Sequence, residues 1–240
     1  MQRHVNCDLG EGFGDDAAIM PLIQAANIAC GYHAGDDESM RITLRLAKQH
    51  GVSAGAHPSY ADRTSFGRKE LHVQDGELFE CIKSQLHCIT DIAAEENIKL
   101  THVKPHGALY NVSARNPAVA ALIARAVKAF DPSLVLYGLS GSCSLAEAEK
   151  IGLRVAHEVF ADRGYADDGS LLPRTHPLAL HTETKQVVKQ VLQIVQTGIV
   201  RSNNGLMIPI QADTICIHGD GPHALVFAKA IHEALQSLSA

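Results

Sequence analysis

These 240 residues contain no Cys-x-x-Cys pair, no run approaching the roughly eighteen apolar residues that span a bilayer, no surplus of positive charge and no Gly-x-x-x-x-Gly-Lys-Ser/Thr loop. Each absence closes off a class of function. A net charge of -5 and a pI near 6.3 leave nothing to neutralise a phosphate backbone, so nucleic acid is not an expected partner. Without a long apolar run or a secretory h-region after Met1, the chain is expected to be cytoplasmic and not to enter a membrane. The cysteines, Cys7, Cys30, Cys81, Cys88, Cys143 and Cys216, are scattered, which excludes a zinc knuckle or disulfide framework and predicts reduced, mostly buried thiols. The glycines of "GEGFGDD" are followed by acids that would repel phosphate, so this stretch reads as an acidic turn. "YGLSGSCSLAEA" suits an anion better, with a Gly/Ser turn leading from a strand to a helix N-terminus.

What is present is an alternation. Short β-prone apolar runs occur near residues 3–7, 26–30, 52–56, 101–104, 134–139, 154–160 and 213–217, with helical patterns between them. Gly51, Gly152 and Gly198 stand where left-handed C-terminal caps belong, and Asn116-Pro117 opens a helix reaching about Phe130. Asp15, Asp37 and Asp75 read as helix N-caps. Cys81 and Cys88 belong to the core face of one helix. No Pro/Gly/Ser linker or charge run divides the chain, so residues 1–240 are expected to form one domain built on one parallel sheet.

Chemistry follows nearly every strand, and this favours closure of that sheet. The run Ala25 to Cys30 ends in "GYHAGDD", with His33 and Asp36; the other runs end alike. The first is followed by Asp8 and Glu11, the third by His57 and Asp62, and the fourth by Lys104 and His106. The sixth leads to Glu158, Asp162 and Arg163, and the last to His218 and Asp220. An open doubly wound sheet would concentrate such groups at one switch point, whereas a parallel barrel brings all its strand ends to one face. The expected fold is therefore α/β, a seven-stranded parallel β/α barrel resembling a TIM barrel. The other histidines, among them His4, His50, His72, His87, His176, His181 and His232, read as solvated or structural.

The segments "VNCDLGEGFG", "ANIACGYHAGD", "GAHPSYADRTSFGR", "HVKPHGALYN", "EVFADRGYADDGSLLPR" and "HGDGPHA" resemble, in order and across nearly the whole chain, the LamB/YcsF family. The resemblance implies a seven-stranded β/α barrel related to sugar deacetylases. It also implies a chain that works with two further subunits, B and C, of an ATP-hydrolysing 5-oxoprolinase, converting 5-oxo-L-proline to L-glutamate. Residues alone reach only a hydrolase or lyase pocket of acids, bases and cations.

A five-membered lactam is a poor electrophile and glutamate recloses readily, so coupling to ATP activates the carbonyl and pulls the reaction forward. In that chemistry Lys104 and Arg163 would hold the substrate carboxylate or developing oxyanion, and Asp8 or His57 would take a proton from water. His106 or His218 would protonate the leaving nitrogen. Asp36, Glu158 and Asp220 would orient those histidines or bind the amide, with Glu11, His33 and Asp162 completing the substrate site. Such a site is expected to work without a tightly bound transition metal. The competing readings are metal-assisted hydrolysis through Asp8, His33 and His57, and a non-catalytic carrier. Which subunit binds ATP is left open.

Overall fold

Alternating side chains and short glycine-stopped helices are the local instructions from which the fold is built. In the computed structural model, residues 4–239 are described, so Arg3 of the first expected strand lies outside them. The chain begins with β1 (His4–Leu9), a short α1 (Asp16–Ile19) and a 3-10 turn (Met20–Leu22), then β2 (Ala25–Ala29) and α2 (Asp37–His50). It continues through β3 (Ser53–His57), α3 (Asp75–Glu95), β4 (His102–Val103), α4 (Gly107–Arg115), α5 (Pro117–Phe130), β5 (Val135–Leu139) and α6 (Cys143–Lys150). The last part comprises β6 (Arg154–Phe160), α7 (Thr184–Thr197), β7 (Ile199–Arg201), β8 (Met207–Pro209), β9 (Thr214–His218) and α8 (Ala224–Ser239).

Seven strands, in the order β1-β2-β3-β4-β5-β6-β9, form a closed, all-parallel barrel. Closure is made by β9, which pairs with β1 on one side and β6 on the other. The antiparallel pair β7–β8 stays outside as a separate two-stranded sheet. No helix among the described residues is long and apolar enough to cross a membrane.

All seven expected strands are present. Pro105 cuts the fourth to two residues, although Thr101 and Lys104 still donate backbone N–H bonds to Ala54 and Ala56. The α2 and α7 helices end on left-handed Gly51 and Gly198, each with φ 66°, and the Asn116 side chain accepts from the Ala118 and Val119 amides to start α5. The cap assignments shift by one residue elsewhere. Asp36, not Asp37, caps α2, and Gln74, not Asp75, holds the N-cap position of α3. Asp15 holds that position before α1 without a side-chain bond. Among the cysteines, Cys7, Cys30 and Cys216 are buried while Cys81, Cys88 and Cys143 are half-buried, all of them free thiols.

Strand alternation gives the barrel two unlike faces. Outward residues such as Val5, Leu9, Ile28, Val103, Leu136, Val159 and Ile217 are buried beneath the helices, each contributing roughly 1.5–3 kcal/mol by leaving water. The inward set is polar: Asn6, Asp8, Asn27, His102, Glu158 and Thr214 are all buried. All but Glu158, which pairs with Lys104, join a chain of hydrogen bonds. Asn6 Nδ2 donates to Thr214 Oγ1 at 2.8 Å, Asn27 Nδ2 donates to Asn6 Oδ1 at 2.7 Å, and His102 Nε2 meets Asn27 Oδ1 at 2.8 Å.

The His102 ring has room because β3 carries Gly55 opposite it: a Cβ there would lie 2.3 Å from ring atoms Cδ2 and Nε2. Gly55→Ala must therefore push His102 off Asn27, and we expect a loss of about 1–3 kcal/mol, as for other overpacked cores. Urea unfolding would check this; an unchanged midpoint would mean that the barrel interior is looser than the structure indicates.

Candidate functional site

The carboxyl ends of the strands surround a cavity of about 760 Å³. Its walls include Asp8 from β1, His57 from β3, His106 ahead of α4, Arg163 after β6, His218 from β9, and Ser140–Ser142 between β5 and α6.

Below the cavity floor lies a buried ion cluster. The Lys104 ammonium, 2% exposed, is 2.8 Å from Asp8 Oδ1, 2.9 Å from Glu158 Oε1 and 3.0 Å from Cys216 Sγ. Burial works against the ammonium, but Asp8 first, then Cys216 and Glu158, hold its pKa well above the ordinary lysine value. Burial likewise opposes ionised Asp8, yet His57 and Lys104 keep that carboxyl well below the usual range. Asn27 Nδ2 adds a 2.8 Å bond to Asp8 Oδ1.

Beside the cavity, His33, His57 and His106 converge on Glu11. Glu11 Oε1 is 3.1 Å from His33 Nε2, 3.3 Å from His106 Nδ1 and 3.9 Å from His57 Nε2. The His33 and His106 rings stack with centroids 3.8 Å apart. Burial, reinforced by the neighbouring His57, drives His33 down to about 2 and His106 well below its ordinary value. Burial pushes the Glu11 carboxyl up, with Asp8 and Asp220 adding to the effect. On the opposite side, His218 Nδ1 lies 3.0 Å from both oxygens of Asp162.

Several sequence assignments change. Asp36 is exposed and its carboxylate accepts from the Ser39 amide at 2.9 Å in a capping box, so it orients no histidine. Glu158 faces Lys104 instead of a histidine, because alternation along β6 turns it into the barrel. The same alternation puts the Lys104 ammonium under the cavity, where it supports Asp8 from beneath and does not line the wall. Arg163 donates to the carbonyls of Leu172 at 2.6 Å and Ala179 at 3.2 Å, so most of its guanidinium clamps the loop after β6. Asp220 pairs with Arg68.

No sequence pattern marks Arg68 or Arg174, both exposed cations of the cavity wall. Arg68 lies over the Phe66 ring at 4.9 Å. The two arginines close the segments "TSFGR" and "GSLLPR", but loop arginines carry no periodic signal that would mark them. His102, Asn6 and Asn27 are likewise unmarked, being polar residues inside runs that read as ordinary strands. The Gly/Ser turn does lead from β5 into α6 as expected. Its N-cap residue Ser142 makes no side-chain cap bond, and the Oγ is buried without a hydrogen-bond partner among the described residues.

The sequence profile of the LamB/YcsF family matches residues 4–240. The chain belongs to the LamB/YcsF family. Among LamB/YcsF relatives, the A subunit of 5-oxoprolinase from Staphylococcus aureus (strain MSSA476) is 47% identical over 98% of this chain and 96% of its own length. The crystal structure of the lactam utilization protein from Thermus thermophilus superposes with a TM-score of 0.93 at 39% identity, covering 100% of this chain and 98% of that one. Dispersin B, at 10% identity and a TM-score of 0.53 over 98% of this chain and 97% of its own, shares the barrel fold alone.

The buried cluster yields a stability prediction. Lys104→Met strands Asp8 and Glu158 as uncompensated carboxylates, and we expect a loss of about 3–5 kcal/mol. Adding Glu158→Gln should recover about 1 kcal/mol or more, since the two positions are in contact. Urea unfolding of both variants decides this; a single variant within about 0.5 kcal/mol of the parent would mean that Lys104 acts as a surface residue.

Proposed function

We propose that this chain is one component, the A subunit, of an ATP-dependent 5-oxoprolinase, opening the lactam of 5-oxo-L-proline to L-glutamate with partner subunits B and C. The observation that carries this reading is the 47% identity, over nearly the full length of both chains, with a protein named as the A subunit of 5-oxoprolinase. The cavity is consistent with it. A small anion bearing one carboxylate, one carbonyl and one N–H finds cations, a carboxylate and imidazoles on a single wall.

In this reading Arg174, which no hydrogen bond holds among the described residues, takes the substrate carboxylate in place of Lys104. Asp8, kept ionised, is the group suited to accept a proton from attacking water. His218, oriented by Asp162, is the group suited to protonate the departing nitrogen. Arg68 stands ready to shield developing oxyanion charge. ATP would be hydrolysed by the assembled enzyme, since the chain carries no Gly-x-x-x-x-Gly-Lys-Ser/Thr loop of its own.

Glutamate release from 5-oxoproline, measured with ATP and every subset of the three subunits, tests the proposal. Release is expected only from the full set. Robust release by this chain alone, or none from the full set, would overturn it. Calorimetry with 5-oxoproline and the isolated chain separates the carrier reading: measurable binding, weakened about tenfold or more by Arg174→Ala, is expected if the substrate carboxylate sits on this cation.

A further inference from the structure

With its imidazoles neutral, the histidine cluster beside the cavity turns several acceptors on one point. His57 Nδ1 lies 2.7 Å from the Lys104 carbonyl oxygen, and a carbonyl can only accept, so Nδ1 bears a proton and, in the neutral ring, Nε2 is a bare lone pair. His106 Nε2 lies 2.9 Å from the Phe66 carbonyl oxygen, which in the same way leaves Nδ1 bare. Those two lone pairs face each other at 2.9 Å. Two carboxylates point at the same spot, Glu11 Oε1 at 3.3 Å from His106 Nδ1 and Asp8 Oδ2 at 3.4 Å from His57 Nε2. Four acceptors thus converge where a positive charge is required.

No side-chain cation among the described residues reaches that point. The Lys104 ammonium is shared by Asp8 and Glu158, and Arg68 is paired with Asp220. Backbone strain is spent on the arrangement as well. Phe66 holds φ 54°, unusual for an aromatic residue, and its carbonyl is the one that sets the His106 tautomer.

We propose that this cluster binds one divalent transition metal ion, best matched by zinc, through His57 Nε2, His106 Nδ1 and the Glu11 carboxylate. Two imidazoles and one carboxylate with an open fourth position is a donor set that zinc uses in catalysis, and both far ring nitrogens already have the backbone acceptors that fix such ligands. Tetrahedral nitrogens about 2.05 Å from zinc are about 3.4 Å apart, so the rings need to part by only about 0.5 Å. His33, whose Nε2 meets Glu11 at 3.1 Å, is a positioning residue that orients the carboxylate. His57 and His106 also line the cavity, so the open position faces it. This departs from the metal-free site expected from the sequence, and it replaces Asp8 and His33 in the ligand set considered there with Glu11 and His106. Use of the ion to polarise a lactam carbonyl rests on the function proposed above; binding itself does not.

Chain stripped with a chelator and dialysed should bind one Zn²⁺ with a dissociation constant below about 1 μM by calorimetry, and its Co²⁺ form should show visible ligand-field absorption. Glu11→Gln and His106→Gln should each weaken binding by about 100-fold or more, His33→Phe by about tenfold, and His50→Gln on the exposed end of α2 not at all. Circular dichroism of each variant identifies any that fail to fold, and the Co²⁺ spectrum of the parent chain reads the ligands without a substitution. No stoichiometric binding by folded parent chain at 10 μM (about tenfold above that threshold), or binding indifferent to His106→Gln in a folded variant, would overturn the proposal. In that case a proton shared by His57 and His106 fills the gap. Metal bound as described, with no glutamate release from the full subunit set, would sink the oxoprolinase reading while leaving the metal site standing.

Discussion

One ammonium sealed inside the barrel organises the rest of the site. Lys104, just past the end of β4, is held between Asp8 of β1 and Glu158 of β6, with Asn6 of β1 and Cys216 of β9 completing its surroundings. A buried ion pair of this kind costs desolvation on both sides and is worth little as net stability, but removing one partner is severe. The cluster therefore acts as a register pin: β1, β4, β6 and β9 must meet in one alignment for all the charges to be met. Asn27 extends the same network to β2, and His102 ties it back to β4.

That pinning has a consequence one layer higher. With one Asp8 oxygen taken by Lys104 and Asn27, the other is turned towards His57. His57 in turn is locked by the Lys104 carbonyl, so a single residue after β4 fixes both the acid and the imidazole that face the cavity. The groups that line the open wall are held less tightly. Arg68 and Arg174 are exposed side chains on loops, whereas Asp8, His57 and His106 are buried at element ends. Preorganised groups near the reacting centre and adaptable cations at the rim are the division expected of a pocket that must admit and release a charged small molecule.

The sequence made the periodicity of the chain legible because strand alternation and glycine stops are local. It could not say which way a given side chain points. Asp36 and Asp37 are adjacent, and one residue of phase decides which one caps the helix; the cap went to Asp36, removing it from the site. Glu158 and Lys104 were legible as charges following the sixth and fourth strands, but that they partner each other depends on the tilt and closure of a barrel. Arg68 and Arg174 lie in irregular loops, where no period exists to read.

What the sequence determined by itself is the set of seven strands, the order in which chemistry follows them, and the membership in a family whose segments it carries from end to end. These are properties of local pattern and of residue identity, and they survive without coordinates. What only the tertiary structure decided is adjacency. Glu11 and His106 are 95 positions apart in the chain and 3.3 Å apart in the fold. Neither those contacts nor the facing lone pairs of His57 and His106 are encoded in any window of sequence, because they arise from ring closure and from backbone carbonyls, whose positions depend on how every strand packs against the next.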